Sequence, residues 1–67
     1  MELYKLNFND GAPYELYDDI DRARCRLLQE YFRKDAKPDE VVKEVQSILH
    51  FGYCKTGSIG YLEIPKN

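Results

Sequence analysis

Three side chains in this sequence are of the kind that hold soft metals or act as nucleophile and base: Cys25, Cys54 and His50. A structural zinc site needs four ligands at close spacing. No CxxC, HxxxH or HExxH pattern is present, and His50 and Cys54 are expected to straddle a helix-to-strand boundary, so helical spacing does not bring them together. A Cys–His nucleophile pair needs a third group to orient the base, and nothing in the spacing supplies one. No Gly-rich loop precedes a helix, so a phosphate cradle is unsupported. The paired carboxylates Asp18, Asp19 and Asp21 sit where a helix should start, and capping accounts for them. The expectation is a non-enzymatic chain with no catalytic, cofactor-binding or metal-ligating residues.

The residues left over point to binding. Arg22, Arg26 and Arg33 share the solvent side of a helix, where a basic face could lie against phosphates, but Asp19, Glu30 and Asp35 are interspersed with them. Arg24 is different. Counting 100° per residue puts it inside the apolar arc, where its stem can pack while the guanidinium reaches an edge or anchors a partner carboxylate. Six tyrosines and three phenylalanines are many for 67 residues. Tyr14, Tyr17 and Tyr61 have no core assignment, and tyrosine is enriched at protein interfaces.

Five elements must position these groups. Tyr4, Leu6 and Phe8 alternate with polar neighbours, so residues 2 to 8 read as a half-buried strand. The turn-forming run Asn9-Asp10-Gly11-Ala12-Pro13 ends it, and Tyr14 to Tyr17 read as a connector. A helix follows from about Asp19 to Lys34, with Asp18 as N-cap and Ala23, Leu27, Ile20, Tyr31, Leu28 and Phe32 on its apolar arc. Asp35-Ala36-Lys37 turns the chain. Pro38 opens a second helix with the stripe Val41, Val42, Val45, Ile48 and Leu49, ending near His50 with Gly52 as a C-cap or the start of a strand. Gly57-Ser58 suits a type II′ turn, so residues 53 to 64 read as a hairpin in which Thr56 pairs with Ile59 and Cys54 with Tyr61. Pro65 stops it.

The predicted fold is a single α+β domain over residues 1–67, β-α-α-β-β in order, with a three-stranded, mainly antiparallel sheet and two helices on one face. The other face is then bare, carrying Leu3, Lys5, Cys54, Thr56, Ile59 and Tyr61, and a contiguous apolar group there suggests a partner. The net charge of −2 does not favour general binding to nucleic acid or anionic lipid. No apolar run is long enough for a membrane span, so a cytoplasmic address is expected. The resulting expectation is a small protein-binding module, an inhibitor from a phage or mobile element that occludes a larger host protein or defence complex. Its contacts would be Tyr14, Glu15, Tyr17, Asp18, Asp19, Asp21, Ile59 and Tyr61. The alternative is a nucleic-acid-binding regulator using Arg22, Arg26 and Arg33. A homodimer through the outer face is a further expectation.

Overall fold

A computed structural model describes residues 2–65. Of the 1–67 domain expected, Met1, Lys66 and Asn67 therefore lie outside the described range. Five elements are present: β1 (Glu2–Phe8), β2 (Glu15–Tyr17), α1 (Ile20–Lys34), α2 (Val41–Phe51) and β3 (Gly57–Glu63). The fold is α+β, with three antiparallel strands in the order β2-β1-β3 and two helices. The third strand comes from residues 15–17, which read as a connector in sequence. Three residues are too few to display an alternation, and they pair with β1 as Tyr4–Tyr17, Lys5–Leu16 and Leu6–Glu15.

The hairpin expected around Gly57-Ser58 does not form. Gly57 has no positive φ and begins β3, opposite Phe8. Its glycine is required for a different reason: a Cβ there would lie 2.3 Å from the Asn7 carbonyl oxygen and 3.2 Å from Leu27 Cδ1. The chain reverses earlier. Gly52, at φ 76°, caps α2 in the left-handed region, its N–H donating to Ile48 O at 3.1 Å. Only a single bridge, Tyr53–Ser58, precedes the turn. That turn is pinned from outside, because Asn9 N–H donates to Thr56 O (2.8 Å) and Thr56 Oγ1 donates to Asp35 Oδ2 (2.7 Å).

Side chains alternate across a strand, so the register assigns the faces. Tyr4, Leu6, Phe8, Glu15, Tyr17, Ile59 and Tyr61 lie on the helix side. Leu6, Ala23, Leu27, Tyr31, Ile48 and Cys54 are buried, and Phe8, Tyr17, Leu28, Val41 and Ile59 pack around most of them. Burying a Leu or Ile side chain contributes roughly 1.5–3 kcal/mol, so this small cluster carries most of the fold. The Tyr31 hydroxyl is enclosed with no partner in hydrogen-bonding geometry among the described residues. Burial raises its pKa, an effect the Lys37 backbone opposes.

The α1 N-cap is Asp19 rather than Asp18: its side chain accepts from Asp21 N–H at 2.8 Å. Pro38 opens a turn in which Glu40 and Val41 N–H both donate to Lys37 O, and α2 starts after it. Phe32 on α1 and Val42 and Leu49 on α2 are exposed rather than core; on α2, Val41 and Ile48 make the contact with the core instead.

Candidate functional site

The register overturns the expected outer face. Cys54 and Thr56 are buried, and Ile59 packs against the core from the helix side. The true outer face carries Leu3, Lys5, Leu16, Gly60 and Leu62, with Tyr14 lying over it so that Lys5 Nζ sits 4.4 Å from the ring centroid. Of the outer-face residues expected, only Leu3 and Lys5 remain there. Tyr61 stays exposed, though on the helix side.

One flank of α1 is a closed polar network. Glu30, 7% exposed, accepts from Arg26 Nη1 at 2.7 Å and Arg33 Nη2 at 3.0 Å, with Lys34 Nζ at 3.3 Å. Arg26 reaches back to Glu15 at 3.1 Å and covers the Phe8 ring. Tyr17 OH donates to Glu15 at 2.5 Å, and Lys34 also pairs with Asp10. Hydrogen bonds from Arg33 and then Arg26 hold Glu30 at a pKa of about 2. The Tyr17 hydroxyl, ahead of Arg26, lowers Glu15. Every member faces an opposite partner, so Glu15 and Tyr17, expected to meet a partner protein, are already engaged within the chain.

The other region lies where the start of α1, the end of α2 and the middle of β3 meet. A groove of about 210 Å³ is lined there by Tyr4, Ile20, Arg24, His50, Phe51 and Tyr61, floored by Ile59 and Gly60. Tyr4 and Tyr61 stack edge to face at 5.9 Å. Tyr61 OH donates to Glu2 at 3.2 Å, and burial, followed by that bond, raises its pKa. Arg24 Nη1 donates to Asp21 at 3.2 Å, while its Nε is buried and has no acceptor among the described residues. Leaving a buried donor unsatisfied costs on the order of 1–3 kcal/mol. The Nε–Nη2 edge of a guanidinium is one that a carboxylate bridges with two parallel bonds. Beyond Tyr4 and Ile20 the surface continues into a hollow rimmed by Asp18, Asp19 and Arg22.

The structure thus brings Asp18, Asp19, Asp21 and Tyr61 to one end of the molecule, with Ile59 beneath them, and leaves Tyr14 on the opposite face. Sequence reasoning missed Tyr4, His50 and Phe51 as groove residues. Phe51 is 72% exposed. Its signal was Gly52, which stops the helix one residue later and leaves Phe51 projecting. Cys25 is exposed, on the flank of α1 away from the groove, and Cys54 is buried, accepting Thr56 N–H at 3.3 Å, so the two thiols are not linked. Among the described residues no cluster of metal-binding side chains forms and no helix is long and apolar enough to cross a membrane. Comparison with known protein families, curated proteins and solved structures returned no match.

Proposed function

We propose that this chain is a non-catalytic protein-binding module whose docking site is the Arg24 groove, and that the partner supplies a carboxylate. The observation that carries this reading is the buried Arg24 Nε without an acceptor, set among Tyr4, Phe51 and Tyr61. Arginine beside aromatic rings is the composition of interface hot spots. The rim of Asp18, Asp19 and Asp21 would orient the partner by repelling misplaced acidic groups and meeting basic ones. Occlusion of a larger protein's surface suits so small a domain. A phage or mobile-element inhibitor of a host protein, acting in the cytoplasm, is the form of that role we favour.

The test is affinity capture from the native host with wild-type and variant chains, read by mass spectrometry. One stoichiometric protein should be recovered by the wild type and by Tyr14→Ala, and lost with Arg24→Met and Tyr61→Ala. Equal recovery by all four chains would sink the proposal. The nucleic-acid reading is weaker, because Arg26 and Arg33 are committed to Glu15 and Glu30, leaving Arg22 alone without a partner among the described residues. A gel shift that weakens steeply with salt and responds to Arg22→Ala would favour it instead.

A further inference from the structure

β3 is an edge strand, and its two halves differ. Along the first half the free edge is occupied: Ile59 N–H donates to Gly52 O at 2.7 Å and Cys54 N–H to Gly57 O at 2.9 Å. Backbone groups alternate in direction along an antiparallel strand. If Ile59 points its N–H away from β1, Tyr61 and Glu63 do too. Neither has a partner on that edge among the described residues. No Lys or Pro stands between Ser58 and Leu62 to blunt the edge, the usual guards against strand addition.

We infer that this open half of β3 pairs with the same segment of a second copy, antiparallel and centred on Leu62. A two-fold axis perpendicular to a sheet always delivers an antiparallel neighbour, matching the pairing already present throughout this sheet. The backbone then selects the register. Centring on Tyr61 would set Glu63 of the second copy opposite Ile59, whose N–H is already used by Gly52. Centring on Glu63 would put two carboxylates face to face, each already beside Glu2 of its own chain, and like charges directly opposite are destabilising. It would also set Tyr61 against Pro65, which has no N–H to offer. Centring on Leu62 keeps Ile59 out of the new hydrogen bonds and the two Glu63 carboxylates apart. Tyr61 and Glu63 exchange both hydrogen bonds with Glu63 and Tyr61 of the second copy, four in all by this pairing rule. The ladder ends with Gly60 opposite Ile64, because Gly52 already holds the edge at Ile59 and Pro65 has no N–H to extend it.

The side chains agree with the backbone. Leu62 occupies the central non-hydrogen-bonded pair, where side chains approach most closely, and it lies on the bare outer face, 41% exposed. Gly60, on the same face, keeps the approach clear. The product is a six-stranded antiparallel sheet with both helix layers on one side. Leu3, Leu16 and Leu62 of each copy then join into one apolar surface on the other. This inference rests on the backbone edge of β3 and not on the Arg24 side chain, although Tyr61 belongs to both regions.

Sedimentation of the full chain across micromolar to millimolar concentrations tests it. The wild type and Arg24→Met should sediment as dimers. Leu62→Lys should weaken dimerisation at least about tenfold while leaving the far-ultraviolet circular dichroism unchanged. A Cys25→Ser background fixes the register: Leu62→Cys should form a disulfide-linked dimer on mild oxidation well ahead of Tyr61→Cys or Glu63→Cys. A wild-type chain that stays monomeric throughout, a dimer indifferent to Leu62→Lys, or faster cross-linking at position 61 or 63 would each overturn it.

Discussion

The two flanks of α1 hold arginines in opposite circumstances. Toward its C-terminal end, Arg26 and Arg33 converge on Glu30, and Arg26 and Lys34 extend the network to Glu15 and Asp10. Toward its N-terminal end, Arg24 has one bond to the exposed Asp21 and a buried Nε with none. One helix therefore carries a saturated cluster and an unsaturated one. Partner groups within the chain explain the first as architecture, fastening α1 to β2 and to the turn after β1. The second is a cost left standing, which the proposed partner carboxylate would relieve.

Removing Glu30 should produce the largest effect. In Glu30→Ala, Arg26, Arg33 and Lys34 lose their common partner, and the thermal midpoint should fall on the order of 10 °C, as measured by circular dichroism. A fall no greater than that of an exposed Glu→Ala control would mean the network is ornamental. Acid should imitate the substitution. Glu30 titrates near 2 when folded against an ordinary 4.5, and Glu15 and Asp10 are lowered as well. Their stabilisation is complete above about pH 4.5 and is lost as pH drops from there toward 2. Denaturant titrations should show stability falling through that window in the wild type and less steeply in Glu30→Ala.

Arg24→Met should barely matter for stability, within about 1 kcal/mol of wild type and on the favourable side, because it deletes an unsatisfied donor while keeping the packed stem. Urea unfolding reads this directly. A loss as large as that of Glu30→Ala would erase the contrast between the two flanks. Arg33→Ala should show the smallest change, below about 0.5 kcal/mol, since that side chain is 65% exposed and screened by solvent.

Much of the fold was legible because its signals are local. The alternation Tyr4, Leu6, Phe8 marks β1, and the stripe Ala23, Leu27, Tyr31 marks the buried side of α1. Gly52 marks the end of α2. What was not legible is what depends on distant partners. Gly57 reads equally well as a turn glycine and as a glycine against a neighbouring strand, and only the presence of Asn7 decides between them. That one ambiguity moved Ile59 and Tyr61 to the wrong face, since a change of pairing relocates whole sets of side chains. In the site, Arg24 was visible as a cation within an apolar arc. The attachment of Arg26 to Glu15 spans eleven positions and left no trace in spacing.

The central strand of the sheet precedes every other element in this chain, and its longer neighbour follows them all. During synthesis β1 therefore waits. Until Gly57–Glu63 leaves the ribosome, the three residues of β2 are its sole pairing partner, and Leu6 lacks the Ile59 side of its enclosure. Both helices, built from local contacts, can form well before that moment. Premature stops ahead of Gly57 should thus release chains with an uncovered strand that invites chaperones and proteases, whereas those after Glu63 should release molecules able to close.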